Sequence, residues 1–335
     1  MKICVVGAGA IGGLLAVKLA ATGEEVTVVV RGANLAAVRE RGLTLHTEGR
    51  EEVARVRATD SIAEVGQQDL VVLGMKAHQL GPLAPELPAL CGPETIFVTA
   101  QNGIPWWYFM RHGGPLEGTH LESVDPGGII ARHLPVERVV GSIIYPASEV
   151  VAPGIIRHIE GNRISLGELD GADTPRLRTL VELLRKAGFK SRVASDLRSE
   201  IWVKLWGNCT FNPLSALTHA TLADICQDPG TRALAAEMMR EAQAVGEKLG
   251  AHFGVTLEKR IAGAESVGHH KTSMLQDVES GRPLELDALL GAVLELGRFT
   301  ATPTPQLTAV HACVSLLARK LREASGRLRI EPGNR

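Results

Sequence analysis

A helical stretch in the second half of the chain carries polar side chains that could do acid–base chemistry. Glu200, Lys204 and Asn208 recur at intervals of four residues, so they share one helix face. Asn212 lies four residues further, immediately before Pro213, where a continued helix is disfavoured. The rest of the stretch is largely apolar, with Trp202, Leu205, Trp206 and Phe211. We therefore expect the polar face to line a cleft; the alternative is a solvated stripe held by a Glu–Lys pair.

A glycine-rich loop near the N-terminus has the spacing G-x-G-x-x-G. Its residues are Gly7, Ala8, Gly9, Ala10, Ile11 and Gly12. In this spacing the first glycine permits a tight turn, the second lets the backbone approach a pyrophosphate, and the third allows close helix–strand packing. The helix N-terminus then presents N–H groups to the phosphates. Because the loop follows an apolar run and opens a helical pattern, it predicts a dinucleotide site; a glycine-rich turn without a ligand is the alternative.

The residue that ends the second predicted strand bears on the choice of cofactor. Folds that bind NAD place Asp or Glu there to hold the ribose hydroxyls. In this chain the run Val29-Val30-Arg31 has no acid at its tip. A guanidinium can pair with the 2′-phosphate of NADP, which a carboxylate would repel. The sequence therefore favours NADPH/NADP, with a solvated surface arginine as the alternative.

Two more polar residues follow predicted strands. Lys76 comes after Leu73-Gly74-Met75, and Asn102 stands between Gln101 and Gly103. Ligands of open α/β folds bind at the carboxyl ends of the strands, so both residues are expected beside the glycine loop. Taken singly, each could be a plain turn residue.

A last group of polar residues lies towards the C-terminus. Ser273 with Gln276 matches a helix-capping box, which needs no function. Glu285 stands at the start of the next helical pattern, where an acid is favoured in any case. The adjacent pair His269-His270 lacks any accompanying metal-ligand spacing, so no metal site is predicted.

The elements that must position these residues alternate strand and helix in the first half. Strands are predicted at 3–6, 26–30, 70–73 and 95–99, and a helix at 11–21. Such alternation implies right-handed crossovers and a parallel sheet. Three further strand patterns at 139–145, 154–160 and 163–167 predict a hairpin-like addition to the sheet edge, and a helix at 175–187 closes the domain.

After about residue 195 the strand pattern disappears. Helical periodicity covers 197–209, 231–249, 257–263, 274–279, 286–299 and 307–322. The predicted fold class is therefore an α/β Rossmann dinucleotide-binding domain over 1–195 followed by an all-α domain over 196–325. The polar tail 326–335 is expected to be loose.

Composition excludes several classes of protein. The 335 residues carry a net charge of −1, with 36 Lys+Arg against 37 Asp+Glu, so no global field favours nucleic acid or an anionic membrane. The aromatic fraction of 4% argues against base-stacking platforms. Five scattered cysteines without a Cys-x-x-Cys pair are typical of a reducing compartment. With neither a signal-peptide pattern nor an apolar run of about 20 residues, we expect a cytoplasmic protein.

Together these residues resemble the ketopantoate reductase (2-dehydropantoate 2-reductase) family along nearly the whole chain. The matching motifs are Gly7 to Gly12 with Arg31, Lys76, Asn102-Gly103, Lys204-x-x-x-Asn208-x-x-x-Asn212-Pro213, Ser273-Met274-Leu275-Gln276-Asp277 and Glu285-Leu286-Asp287. The resemblance implies a Rossmann domain and a helical domain like the C-terminal domain of 6-phosphogluconate dehydrogenase, with the active site in the cleft between them. It also implies NADPH-dependent reduction of ketopantoate to (R)-pantoate, in pantothenate and coenzyme A biosynthesis.

The resemblance further implies a role for each matching residue. Lys204 matches the proton donor, and Glu285 matches an acid that serves both catalysis and the cofactor. The matches for substrate binding are Asn102, Lys204, Asn208, Asn212 and Ser273. The matches for cofactor binding are Gly7, Ala8, Gly9, Ala10, Ile11, Gly12, Arg31, Lys76, Asn102 and Ala147, the last through its backbone.

Two positions depart from the family pattern. The segment 218–222 has no asparagine where the family usually has one, and His270 replaces an asparagine three residues before Ser273. Lost donors weaken the recognition of a hydroxylated substrate, so a related NADPH-dependent reductase of another 2-keto acid stays open. A non-catalytic NADP(H) sensor is a further alternative, although it leaves the helical-domain residues unexplained. The expected partners are a small 2-keto acid and, as the resemblance permits, a second copy of the chain, but neither nucleic acid nor membrane.

Overall fold

The computed structural model describes residues 1–330, which belong to two compact units. The first unit comprises Met1–Leu197 and the second Arg198–Arg335. Part of the tail expected to be loose, residues 331–335, lies outside the described residues. In the described part of that tail, the N–H of Leu328 donates to the carbonyl oxygen of Val278 at 3.2 Å.

The first unit contains twelve strands in two sheets. In chain order they are β1 Lys2–Val6, β2 Glu25–Val29, β3 Leu43–Thr47, β4 Arg50–Ala54, β5 Arg57–Thr59, β6 Gln68–Leu73, β7 Cys91–Thr99, β8 Val139–Ile144, β9 Ala147–Ala152, β10 Ile155–Glu160, β11 Arg163–Gly167 and β12 Lys190–Val193. The larger sheet has the order β12-β11-β8-β7-β6-β1-β2-β5, and the smaller has the order β4-β3-β10-β9.

The central strands of the larger sheet are buried on both faces, as expected from continuous apolar runs. In β1 the residues from Ile3 to Val6 are all buried. Neighbouring strands from β5 to β8 run parallel, and β8 pairs antiparallel with β11. The predicted parallel sheet is confirmed, with one antiparallel pair towards its edge.

The strand register aligns the carboxyl ends at which ligands of this architecture bind. Val6 lies opposite Val29 on one side and Leu73 on the other, and Leu73 lies opposite Thr99. The segments that leave β1, β2, β6 and β7 therefore emerge from one edge of the sheet. We call this edge, with the residues that directly follow those four strands, the carboxyl edge.

The predicted hairpin addition to the main sheet is wrong in part. β8 and β11 do extend the larger sheet, but β9 and β10 leave it and pair with β3 and β4 in the smaller one. β3 buries only Leu43 and Leu45, and β4 is largely exposed, so neither has an apolar pattern long enough to predict a strand. An edge strand such as β4 does not need the alternating pattern of a half-buried strand.

Five helices accompany the sheets. They are α1 Ala10–Ala20, α2 Gly32–Arg41, α3 Leu80–Leu83, α4 Ile129–His133 and α5 Pro175–Lys186. α5 begins at a proline after Thr174, whose hydroxyl accepts a hydrogen bond from the N–H of Leu177 at 3.3 Å. Its buried side chains, together with those of α1, form one apolar core with the strands. Burial of this kind contributes roughly 25 cal/mol per Å² of apolar surface.

The second unit is helical, which confirms the predicted class. Its helices are α6 Leu197–Thr218, α7 Leu222–Gln227, α8 Pro229–Lys248, α9 Leu257–Ser266, α10 Ser273–Ser280, α11 Ala292–Phe299 and α12 Pro305–Glu323, and Asp287–Gly291 is a π-helical segment. α6 begins at the last residue of the first unit. Sequence periodicity missed α7, which is too short to show a repeating pattern. Among residues 1–330, no helix is both long enough and apolar enough to cross a membrane.

α6 does not end before Pro213 as expected. The helix runs through Pro213 to Thr218. A proline inside a helix removes one backbone hydrogen bond and disfavours the turn before it. Pro213 is buried between Asn212 and Leu214, which are also buried, so packing of this turn offsets the local penalty.

Candidate active site

The glycine loop joins β1 to α1 where no side chain would fit. Gly7 has φ +87°, and a Cβ on it would lie 2.8 Å from the backbone nitrogen of Met75. A Cβ on Gly12 would collide with the carbonyl oxygen of Gly7. The tight turn and the close helix–strand packing expected of these two glycines are therefore both present.

Gly74 is a further member of this packing that the sequence did not reveal. A Cβ on it would lie 2.8 Å from both the Cα of Gly12 and the carbonyl oxygen of Gly7. Its N–H donates to the carbonyl oxygen of Val6 at 2.9 Å, which extends the pairing of β1 with β6. The only signal in the sequence was a glycine placed directly after an apolar run.

Gly9 differs from these glycines because its surroundings are open. Apart from Gly9 itself and the two adjoining residues, no atom of the described chain would lie within 4 Å of a Cβ built on Gly9. Gly9 is also the N-cap of α1, and the first turn of that helix contains no acidic residue. The first N–H groups of a helix lack partners within the helix, and its dipole favours an anion there. The loop therefore fits a dinucleotide pyrophosphate at Gly9, with Ala10 and Ile11 beside it.

Arg31 lies at the carboxyl edge where β2 leads into α2. It is exposed and is the N-cap residue of α2. This placement fits a guanidinium that receives the 2′-phosphate of NADP. The structure adds an acid that the sequence analysis did not consider: Asp60 follows Thr59, which lies opposite Val29 in the pairing of β2 with β5. A carboxylate beside the end of β2 would suit an unphosphorylated ribose, so the two side chains act in opposite directions.

Lys76, Asn102 and Ala147 follow three consecutive strands of the larger sheet. Lys76 comes three residues after β6, Asn102 three residues after β7, and Ala147 three residues after β8. The side-chain amide of Gln101 donates to the carbonyl oxygen of Leu73 at 2.9 Å, and Gly103 has φ +91°. These features fix the loop that carries Asn102. The first unit thus brings the predicted cofactor residues to one edge, and Gln101 is a positioning residue that sequence reasoning missed.

The polar face of α6 is not the solvated stripe of the alternative interpretation. Glu200, Lys204 and Asn208 are half-buried, and Asn212 is only 7% exposed. Side chains with charges or amide groups are rarely withdrawn from water in this way unless they are paired or used. This burial argues against the solvated stripe, while the expectation that the face lines a cleft stays a prediction.

Lys204 has the strongest electrostatic signature on that face. Desolvation by burial lowers the pKa of its ammonium group from 10.5 to about 8, and the nearby Glu285 carboxylate acts in the opposite direction to raise that pKa. The ammonium group is therefore mostly protonated at neutral pH yet releases its proton more readily than an exposed lysine. A group with a pKa near the working pH is well suited to general acid–base chemistry.

The expected capping box at Ser273 is wrong. The N-cap of α10 is Thr272, whose hydroxyl accepts from the N–H of Leu275 at 3.3 Å. The side-chain amide of Gln276 donates to the carbonyl oxygen of Lys271. Ser273 is the first helical residue and is exposed. A threonine one residue earlier satisfies the same helix N–H groups, so the hydroxyl of Ser273 is not used as the cap.

The segment that carries Glu285 is tied to the end of α10. Arg282 follows the left-handed residue Gly281, and its N–H donates to the carbonyl oxygen of Asp277 at 2.8 Å. Its Nε also donates to the Asp277 carboxylate at 3.0 Å, and Asp277 is 6% exposed. Glu285 lies three residues further on and two residues before the π-helical segment, close to the helix start at which the sequence placed it.

The histidine pair lies in the loop before α10. The N–H of Leu222 donates to the carbonyl oxygen of His270, so this loop pairs with the segment that follows α6. His269 lies 3.8 Å from the Asp224 carboxylate. Within residues 1–330, no group of three or more His, Cys, Asp or Glu side chains is arranged to hold a metal ion.

Comparisons with known proteins point to one family over both units. The family model described as "Ketopantoate reductase PanE/ApbA" matches residues 3–171, and the model "Ketopantoate reductase PanE/ApbA C terminal" matches residues 196–318. A Mesorhizobium japonicum protein named 2-dehydropantoate 2-reductase is 56% identical over 319 residues, which are 95% of this chain and 98% of that protein.

Solved structures share the fold over nearly the whole chain. A candidate ketopantoate reductase from Ralstonia solanacearum MolK2 has a TM-score of 0.91 at 41% identity, covering 96% of this chain and 98% of that one. The ternary structure of D-mandelate dehydrogenase with NADH and anilino(oxo)acetate has a TM-score of 0.83 at 22% identity, covering 96% of this chain and 100% of that one. At the lower identity the similarity concerns the fold alone.

Proposed function

Because the chain belongs to the ketopantoate reductase family, a family of oxidoreductases, we propose that it reduces the ketone of 2-dehydropantoate to (R)-pantoate with NADPH. The observation that carries this proposal is the half-buried Lys204, with a pKa lowered to about 8 near the Glu285 carboxylate. Such a lysine suits the donation of a proton to an oxygen that becomes negative during the reaction. The reaction would supply pantoate for pantothenate and coenzyme A biosynthesis.

The cofactor is proposed to lie along the carboxyl edge of the larger sheet. Gly9 leaves room for the pyrophosphate, the start of α1 offers N–H groups to it, and Arg31 offers a charge for the 2′-phosphate. Lys76, Asn102 and the backbone of Ala147 would hold the remainder. When bound, NADPH supplies the hydride.

Lys204 is proposed as the proton donor to the carbonyl oxygen of the substrate. Reduction of a ketone places negative charge on that oxygen, and an ammonium group beside it both stabilises the charge and delivers the proton. The opposing effects of burial and of Glu285 keep the ammonium group protonated at neutral pH without making it a poor acid.

Four neutral side chains are proposed to orient the substrate. Asn208 and Asn212 lie on the same face of α6 as Lys204, while Ser273 offers a hydroxyl that does not serve as a helix cap. Asn102 is proposed to contact both the substrate and the nicotinamide. Fixed donors of this kind raise the rate by holding the reacting carbonyl in a productive orientation.

A second candidate function is the reduction of another 2-keto acid. His270 stands where the family commonly has an asparagine, and 218–222 has none at the other expected position. A site that lacks donors for a substrate hydroxyl discriminates less in favour of that substrate. This candidate keeps the proposed cofactor and proton donor and changes only the acid that is reduced.

The test is NADPH consumption by the purified protein, with ketopantoate compared with a panel of other 2-keto acids. A kcat/KM for ketopantoate at least tenfold above the others would support the first proposal. Preference for another acid would support the second candidate. Absence of turnover with every acid, while NADPH still binds, would overturn both and favour a sensor. None of the five cysteines is in a disulfide, which supports the proposal that the protein works in the cytoplasm.

A further inference from the structure

The helix that carries Lys204 is fastened to its neighbour α8 by a hydrogen bond between buried groups. The indole N–H of Trp206 donates to the backbone carbonyl oxygen of Met239 at 2.6 Å. Trp206 and Met239 are both fully buried, and Met239 lies inside α8. A carbonyl inside a helix accepts a bond from its own helix and has a second lone pair, which is the one available to Trp206.

Apolar packing surrounds this hydrogen bond. The rings of Trp206 and Phe253 meet edge to face, with their centroids 4.8 Å apart. Trp202, one turn earlier on α6, is also fully buried, and a Cβ on Gly246 of α8 would lie 2.9 Å from its ring. Apolar contacts are not directional, so they resist a small rotation of one helix against the other less than a hydrogen bond of fixed geometry does.

The same turn of α6 is confined by α9. A Cβ on Gly207 would collide with a guanidinium nitrogen of Arg260, so this side chain lies directly against the backbone of α6. Glycine inside a helix costs about 1 kcal/mol relative to alanine, and the close approach of Arg260 accounts for its presence here. Trp206 and Gly207 both stand between Lys204 and Asn208 in the chain, so α8 and α9 both hold the turn that carries the proposed proton donor.

Lys204 projects from the opposite side of α6. Successive helical residues are about 100° apart, so Lys204 lies about 160° from Trp206 around the helix axis. A rotation of about 20° would move a group about 6 Å from that axis by about 2 Å. The ammonium group would then change its separation from Glu285, which stands on another segment of the second unit and raises the pKa of Lys204. Glu200 on α6 and Arg260 on α9 are charged groups beside the same turn.

We propose that Trp206 is a positioning residue that fixes the rotation of α6 and thereby places Lys204 for proton transfer; this rests on the proposed role of Lys204. Displacement of a reacting group by about 1 Å can lower a rate about 100-fold. The glycine loop and Arg31 belong to the first unit and keep their own contacts. Loss of the hydrogen bond is therefore expected to affect kcat and its pH profile, and to spare the KM for NADPH.

The experiment replaces Trp206 by benzothienylalanine, in which a sulfur atom stands in place of the indole N–H while the shape is retained. Trp206→Phe, which also removes bulk, is the second variant. Loss of the hydrogen bond is expected to lower kcat about 10-fold or more, with the KM for NADPH within about twofold. The alkaline limb of kcat is expected to move to lower pH, because a displaced ammonium group is stabilised less by Glu285.

A double variant tests whether the shift passes through the placement of Lys204. If Trp206 acts by holding Lys204 near Glu285, adding benzothienylalanine at position 206 to Glu285→Gln moves the alkaline limb no further than Glu285→Gln alone does. Trp107→Phe is the matched control. Its buried indole N–H donates to the hydroxyl of Thr99 at 3.1 Å in the first unit, so its loss is expected to lower the unfolding temperature and to leave the limb in place.

Three outcomes would overturn the positioning role of Trp206 while leaving the proposed function intact. They are an unchanged kcat and limb in both Trp206 variants, an equal shift of the limb in Trp107→Phe, and a shift that persists in full in the double variant. If Lys204→Ala kept full activity, the proposed role of Lys204 would fail and this assignment with it.

Discussion

The carboxyl edge of the first unit and the polar face of α6 in the second unit are built on different principles. At the edge, the decisive features are backbone conformations and the absence of side chains: Gly7 turns at φ +87°, and Gly9 leaves open space. On α6 the decisive feature is a side chain, Lys204, whose acidity depends on burial and on Glu285. The first region can be recognised from residue spacing, whereas the chemistry of the second depends on its surroundings.

The sharpest separation of the two regions is expected from Lys204→Ala. Removing a general acid typically lowers the rate by about 10²–10⁴-fold. NADPH binding, followed by fluorescence titration, is expected to stay within about twofold because the carboxyl edge is unaltered. Lys259→Ala, at an exposed lysine of α9, is the matched control and should keep full activity. Undiminished NADPH oxidation by Lys204→Ala would show that another group donates the proton.

Two glycine substitutions at the carboxyl edge separate an effect on folding stability from an effect on NADPH binding. Gly12→Ala introduces a methyl group against the carbonyl oxygen of Gly7 and is expected to lower the free energy of unfolding by about 1–3 kcal/mol. Gly9→Ala meets no described protein atom and is expected to unfold at an unchanged temperature, but to bind NADPH about tenfold more weakly. Thermal unfolding and NADPH titration of both variants test the distinction. Equal destabilisation of the two variants would contradict it.

The charged residues at the end of β2 provide a test of the selectivity for NADPH over NADH. Arg31→Gln is expected to weaken NADPH binding about tenfold and to leave NADH binding unchanged, because only NADPH has the 2′-phosphate. Asp60→Asn is expected to weaken the binding of NADH and to leave the binding of NADPH unchanged or make it tighter. Titration of both nucleotides against each variant measures this, and parallel losses of NADPH and NADH in Arg31→Gln would argue against a phosphate contact.

The smallest expected effect concerns the tuning of Lys204. Lys204 must carry its proton to act as an acid, so kcat is expected to fall as the pH rises through about 8. Glu285 raises the pKa of Lys204, and therefore Glu285→Gln should lower that pKa and move the alkaline limb to lower pH. Glu258→Gln, at an exposed acid in the first turn of α9, should leave the limb in place. A limb that stayed at the same pH in Glu285→Gln would mean that Glu285 does not set this pKa.

The sequence correctly predicted those elements whose residues follow a regular pattern or spacing. The central strands, the glycine loop and the long helices were all found because their patterns extend over several residues. Among the missed elements, β3 and α7 are short and β4 is largely exposed, so none of them shows such a pattern. Helix α6 was expected to stop at Pro213, yet tertiary packing carries it further. Local preference was overruled there by burial.

Within the candidate site, residue identities were accessible but their environments were not. The sequence could propose Lys204 as a proton donor only through family resemblance, since nothing in the spacing reports desolvation. The capping box at Ser273 failed because Thr272, one residue earlier, offered the same chemistry.

The backbone approaches itself closely at Gly7, Gly12 and Gly74, and this contact bears on how distant relatives can be recognised. A side chain at any of the three would clash with neighbouring backbone and lower stability, so a descendant that no longer bound nucleotides is still expected to retain them. Gly9 makes no such close contact, so the fold does not depend on a glycine at that position. When reductases of this architecture are sought in newly sequenced genomes, a substitution at the position of Gly9 would therefore mark a lineage that kept the fold but no longer binds a dinucleotide.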